Sequence, residues 1–138
     1  MVDAIRASEG FVPALSLVAD ECGKILGHVI LSYVALDTGQ RLLELGPLSV
    51  CPERQGKGIG GDLVRTALGI ADELNEPLVL VLGFPAYYRR FGFQRASAFG
   101  IAPPDGIPDD AWMAVTLSSY SPALRGKVIW PPAFSGVT

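Results

Sequence analysis

Residues 49–64, "SVCPERQGKGIGGDLV", place four glycines in the six positions 56–61 and then run into helix-like spacing. Glycines at a strand-to-helix junction let backbone N–H groups converge on one point, because no side chain blocks the approach or forbids positive φ. The helix start adds N–H groups without intrahelical partners and the positive end of the helix dipole. That combination suits an anion, above all a phosphate. Two fingerprints overlap on it. Gly56, Gly58 and Gly61 satisfy G-x-G-x-x-G, whereas Gln55, Gly58 and Gly60 satisfy Q-x-x-G-x-G. A tight turn with no ligand is the remaining reading, but N–H groups bunched at a helix start seldom go unused.

The flanks weigh against the first fingerprint. In a dinucleotide fold the first glycine directly follows the first strand, and an acid closes the second strand to hold a ribose. Here Cys51, Pro52, Glu53, Arg54 and Gln55 intervene after Val50, and the apolar run "LVLVLGF" at 78–84 ends without an acid. A nucleoside-triphosphate loop is excluded as well, since no Lys-Ser or Lys-Thr pair follows the glycines.

Upstream, "ALSLVAD" (14–20) and "KILGHVILSYVAL" (24–36) are β-rich runs around the turn "DECG". "RLLELGPLSV" (41–50) follows a second turn at "DTGQ". Pro47 cannot donate to a ladder, so this strand should bulge, or leave its neighbour, near Gly46 and Pro47. Downstream, Leu63, Val64, Ala67, Leu68, Ala71 and Leu74 have the spacing of one helix face, which Asn75 and Pro77 bring to an end. The run "LVLVLG" (78–83) is apolar throughout, as a strand covered on both faces requires. Strand, crossover helix and strand make a parallel βαβ unit. "PAYYRRFGF" (85–93) reads as a short helix opened by Pro85 and stopped by Gly92. β-like runs around "FQRAS" (93–97) and "WMAVTL" (112–117) finish the pattern, joined by the loop "GIAPPDGIPDD" (100–110). The class is α/β with a mixed sheet.

The chain has 138 residues, 49% hydrophobic and 18% charged, enough for one domain with a good core. A net charge of −3 and the lack of any Lys/Arg run argue against a nucleic-acid binder. The apolar runs are too short to cross a bilayer, and the start lacks the marks of a signal peptide. Cys22 and Cys51 have no second ligand at metal spacing, so a reduced cytoplasmic protein without a metal site is expected.

Strand, Q-x-x-G-x-G, helix, strand and "PAYYRRFGF" together resemble the GNAT superfamily of acetyl-CoA-dependent N-acetyltransferases. "LGPLSV", "RQGKGIG", "LGFPAYYRRFGF" and "GKVIWPPAF" are most similar to its small YhbS-like bacterial branch. The resemblance covers nearly the whole chain. It implies a single GNAT domain over residues 1–138, with a mostly antiparallel sheet whose splayed parallel βαβ unit holds coenzyme A. The loop that binds the pyrophosphate in that family matches Gln55, Gly56, Lys57, Gly58, Ile59, Gly60 and Gly61, acting mainly through backbone N–H groups. Leu48, Ser49 and Val50 match the positions that bond the pantetheine arm, and an N–H near Val50 would polarise the thioester carbonyl.

Acetyl transfer to an amine needs a neutral amine, a stabilised oxyanion and a proton for the departing thiolate. Tyr88 matches the family's general acid, and an ordinary phenol pKa of about 10 keeps it protonated at neutral pH. Glu44, on the strand leading to the bulge, is the candidate base, directly or through water; an exposed glutamate in an ion pair is the competing reading. Tyr87 is expected to pack beneath the glycine helix, and Phe91 and Phe93 to anchor the core. His28 reads as structural, and an acetyl-cysteine route through Cys51 ranks behind direct transfer. The implied activity is transfer to a primary amine of a small-molecule or peptide acceptor, with neither nucleic acid nor membrane as partner. "VDAIRASEGF" matches the end of the family's second helix, so the usual first strand and first helix are expected to be missing. The sheet edge this leaves makes a homodimer an expectation. A non-catalytic acyl-CoA-binding module, or a regulatory subunit completed by a partner, is the alternative.

Overall fold

A computed structural model describes residues 11–21, 24–50 and 58–129. Alternating apolar runs separated by turns give β1 (Phe11–Glu21), β2 (Lys24–Leu36) and β3 (Arg41–Val50), paired antiparallel in succession. Helix α1 (Ile59–Glu73) crosses over, and β4 (Leu78–Leu82) returns parallel to β3. After the short helix α2 (Pro85–Tyr88) come β5 (Gln94–Arg95), β6 (Ile101–Ala102), β7 (Trp112–Thr116) and β8 (Gly126–Ile129). The sheet order is β5-β7-β4-β3-β2-β8-β6, and β1 joins the same flank of the sheet by pairing with β2.

Core residues divide between the two faces of this sheet. On one face, Ile30, Val34, Leu42, Leu78, Leu80 and Trp112 pack with Ile101, Leu124 and Val128. On the other, Val29, Leu31, Leu43, Leu45, Val79 and Val81 lie under Leu63, Val64, Ala67 and Ala71 of α1. β4 alternates strictly between the two, which is why a strand with both sides covered carries no polar residue. Where α1 ends, the Tyr33 hydroxyl donates to the Glu76 carboxylate, and the Arg41 guanidinium lies 4.4 Å from the Tyr33 ring centre. Burial first, and then the bond to Glu76, push Tyr33 up to about 12.

Several local expectations change in the folded chain. Leu74 caps the helix instead of extending its buried face, and is 48% exposed, because Asn75 turns the chain at φ 62°. "FQRAS" supplies only the two residues of β5; Ala96–Phe99 then coil into a 3-10 turn that buries Ala96 and closes on Gly100 at φ 75°. The loop at 100–110 contains β6, and "GKVI" forms β8, which closes the sheet against Ala35 and Leu36 of β2. Residues 2–10 of "VDAIRASEGF", matched above to a helix end, lie outside the described residues.

The bulge falls where Pro47 places it. Leu31 pairs with Leu45 and Val29 with Leu48, so Ile30 stands opposite both Gly46 and Pro47. Gly46 takes φ 150°, a conformation that disfavours any side chain. The extra residue resets the alternation of β3. Leu45 and Leu48, three apart, both face α1, so Glu44 and Ser49 both face away from it.

Candidate functional site

Two neighbouring features define the site. The parallel ladder between β3 and β4 pairs Leu43, Glu44 and Leu45 with Val79, Leu80 and Val81. Beyond the bulge, Leu48, Ser49 and Val50 keep their register with β2 at Val29, His28 and Gly27. Among the described residues the β3–β4 ladder stops at Leu45 and Val81, just before Gly46 and Pro47 of β3 and one residue before β4 ends at Leu82. Beside the end of this ladder, Gly58 opens α1 at φ 87° and accepts the first helical bond, 3.0 Å from the Asp62 nitrogen. The N–H groups of Ile59, Gly60 and Gly61 precede that bond and are the orphan donors of a helix start.

Close packing favours glycine at position 60, whereas at 61 the nearest aromatic atom is at ordinary contact distance. A Cβ on Gly60 would stand 2.9 Å from the Tyr87 hydroxyl oxygen, and one on Gly61 3.6 Å from Phe91 Cε1. α1 thus rests on the aromatic residues of α2 and of the 3-10 turn Arg89–Phe91 that follows it. Tyr87 packs beneath the glycine helix as its sequence position indicates. Two cations missed in the sequence also gather at this end. The Arg65 guanidinium lies 5.1 Å from the Phe91 ring centre, and that of Arg90 lies 5.4 Å from Tyr87 and 5.7 Å from Phe91. The i+4 step from Gly61 to Arg65, and the basic pair within "YYRRF", were the available signals.

Tyr88 is the buried member of the cluster, 8% exposed. Its ring centre is 5.0 Å from Tyr87 and 5.5 Å from Phe93, both edge-on. Pro85 at the first helical turn sets the start of α2, and Gly92 at φ 92° ends the segment. The ring lies directly on Gly83, where a Cβ would overlap Tyr88 Cε2 and come within 2.8 Å of Cδ2. Burial pushes the Tyr88 hydroxyl up to about 12, and the neighbouring Tyr87 adds to the shift. The proton is held firmly at physiological pH. Phe93 is a core anchor, 1% exposed, whereas Phe91 is only half-buried.

Glu44 is not the exposed strand residue weighed from the sequence. It is 4% exposed, in register with Ser32 on β2 and Leu80 on β4, on the face away from α1. Tyr88 packs on the α1 face. The two candidate catalytic side chains therefore lie on opposite faces of the sheet. Ser49 Oγ, on the Glu44 face, lies 2.9 Å from His28 Nδ1. Gln55, Gly56 and Lys57 lie outside the described residues, as does Cys51. Among the described residues no group of His, Cys, Asp and Glu could hold a metal ion, and no helix is long and apolar enough to cross a membrane.

A strand pair whose ladder ends beside a left-handed glycine and a helix start offers N–H donors to a diphosphate and an edge to an extended amide chain. Known proteins resemble this chain in sequence and fold. A profile described as acetyltransferase (GNAT) domain matches residues 13–95. The Escherichia coli N-acetyltransferase YjhQ is 34% identical over 135 residues, 93% of this chain and 75% of that protein. Escherichia coli YhbS is 34% identical over 91 residues, 64% of this chain and 54% of that protein. The crystal structure of YhbS with CoA superposes with a TM-score of 0.85 at 28% identity, covering 96% of this chain and 74% of that one. A GNAT acetyltransferase from Brucella melitensis with acetyl-CoA superposes at 0.77 and 34% identity, covering 97% and 75%.

Proposed function

The chain belongs to the acetyltransferase (GNAT) family and is an acetyl-CoA-dependent N-acetyltransferase, and from that premise we propose direct transfer to the primary amine of its acceptor, with Tyr88 as acid and Glu44 as base. Bound acetyl-CoA supplies an activated acetyl thioester. Gly58, Ile59, Gly60 and Gly61 hold the pyrophosphate through backbone N–H groups at the start of α1, together with Gln55, Gly56 and Lys57 of the preceding loop. The charge of Arg90 favours the same anion, whereas that of Arg65 is offset by Asp62, 3.7 Å away in the first turn of α1. Leu48, Ser49 and Val50 bond the pantetheine arm beyond the end of the β3–β4 ladder, and an N–H near Val50 polarises the carbonyl.

Proton traffic in this reading uses both faces of the sheet. Glu44 takes a proton from the incoming ammonium on the face away from α1, directly or through water. Tyr88 Oη, which keeps its proton at working pH, would give it to the departing thiolate, and the second proton shed by the acylated nitrogen would return to Tyr88 through water. The reading is supported above all by the end of the β3–β4 ladder beside the Gly58 cap. Its setting is the cytoplasm, where lone cysteines stay reduced.

Coenzyme A tests the site without an acceptor. At a hundred times its dissociation constant, a ligand bound only by the folded state adds about 2.7 kcal/mol. That is a rise of about 9 °C in melting temperature at about 2.1 cal/mol/K per residue over 138 residues. Gly58→Glu places bulk and negative charge at the helix start and should abolish the rise. An unshifted wild-type transition at millimolar ligand overturns the assignment of the site.

A further inference from the structure

His28 has no part in the chemistry above, yet its surroundings are those of a working side chain. It stands opposite Ser49 in register, with Nδ1 2.9 Å from Ser49 Oγ. Its other ring nitrogen, Nε2, is buried and has no hydrogen-bond partner among the described residues. A neutral imidazole carries one N–H and one lone pair, and its partners decide which nitrogen has the proton. A buried N–H left without an acceptor is the costlier and rarer orphan. The proton therefore resides on Nδ1, and Ser49 Oγ accepts it.

That assignment directs the hydroxyl. With Oγ accepting from His28, the Ser49 proton is turned away from the ring, and Ser49 is exposed on the face away from α1. It also follows Leu48, the first residue past the bulge in register with β2. We infer that His28 is a positioning residue, which holds Ser49 so that its hydroxyl donates to an oxygen carried by the amine acceptor. The substrate class is thus an amine with a carbonyl or hydroxyl oxygen a few bonds from the nitrogen, not a plain alkylamine. This inference rests on the proposed placement of the pantetheine arm along Leu48, Ser49 and Val50, with the thioester carbonyl near Val50.

The first measurement needs no acceptor. His28 is the only histidine in the chain, so one imidazole appears in a long-range 15N–1H spectrum of the whole protein. The expected spectrum shows a protonated Nδ1 and a bare Nε2; the reverse tautomer overturns the inference even if coenzyme A still raises the melting temperature. The second measurement compares 2-aminoethanol with propylamine, which has a methyl group in place of the hydroxyl. Wild-type kcat/KM should favour the oxygen-bearing amine by about tenfold, the worth of one good hydrogen bond.

Ser49→Ala should erase that preference through KM. His28→Phe should erase it equally, and the double variant should lose nothing more. His28→Asn, whose amide nitrogen stands near the place of Nδ1, should restore most of it. Equal rates with the two amines, or additive losses in the double variant, overturn the inference. Loss of the coenzyme A shift in the wild-type protein would instead overturn the site on which it rests.

Discussion

Gly83→Ala separates the placement of Tyr88 from its chemistry. Gly83 has no left-handed backbone, so alanine brings no strain of its own there. The conflict is steric: the new methyl overlaps Tyr88 Cε2 and stands 2.8 Å from Cδ2. Carbon atoms settle at about 3.5–4.0 Å, so the ring must retreat by about 1 Å. Tyr87 and Phe93, at 5.0 and 5.5 Å between ring centres, close off the retreat. Overpacking of this kind costs about 1–3 kcal/mol. The lower entropy of an unfolded alanine returns about 0.4–1 kcal/mol. The net loss of about 1–2 kcal/mol lowers the melting temperature of a 138-residue domain by about 3–7 °C.

A displacement near 1 Å of a catalytic group costs about 10²-fold in rate. Tyr88→Phe removes the proton donor with the ring in place, so it should lose a similar factor in kcat but little stability. The assay is thiol release from acetyl-CoA with a free amine acceptor, alongside thermal melts of the single and double variants. Adding Gly83→Ala to Tyr88→Phe should lower the melting temperature again without slowing the enzyme further. Wild-type kcat in Gly83→Ala, despite a lower melting temperature, would remove Tyr88 from the mechanism. An unchanged melting temperature would refute the packing itself.

Two further outcomes follow from buried polar groups. Tyr33 and Tyr88 are raised to about 12 in the folded chain, so the fold favours their protonated forms. That contribution is complete below the unfolded value of about 10 and is lost as pH rises through about 12. Urea midpoints should therefore fall above pH ~10, and less steeply in Tyr33→Phe; a midpoint independent of pH in that range would contradict the shifts. Glu44→Gln keeps the shape of a buried side chain while removing its basicity. It should lower kcat/KM by about 10²-fold with the coenzyme A shift unchanged, and an unaffected rate would assign the amine proton to another group.

Much of the architecture was legible because its signals are local. The limits of β2 and β3 follow from apolar alternation and turn residues, and the runs at 24–36 and 41–50 match them in full. Pro47 marks the bulge through a missing donor, a property of one residue that no neighbour can supply. Gly58 and Pro85 mark helix starts for equally local reasons, and the unbroken apolar run of β4 announces cover on both sides. The helix start at Gly58 and the bulge at Pro47 were thus readable before any fold was known, whereas the burial of Tyr88 was not.

Side-chain faces near the bulge were not. Period-two alternation alone sends Glu44 and Ser49, five residues apart, to opposite faces, but the inserted residue brings them to the same one. Whether Glu44 is buried, and which nitrogen of His28 meets Ser49, depend on strands distant in sequence. The same holds for β8, whose short ladder forms only because β2 extends past β1 to Ala35 and Leu36. The sequence by itself determined where the chain bends and caps, since steric limits and missing donors act within a few residues. Only the tertiary structure decided which groups share a face and which are shut off from water, because burial and register belong to pairs of strands.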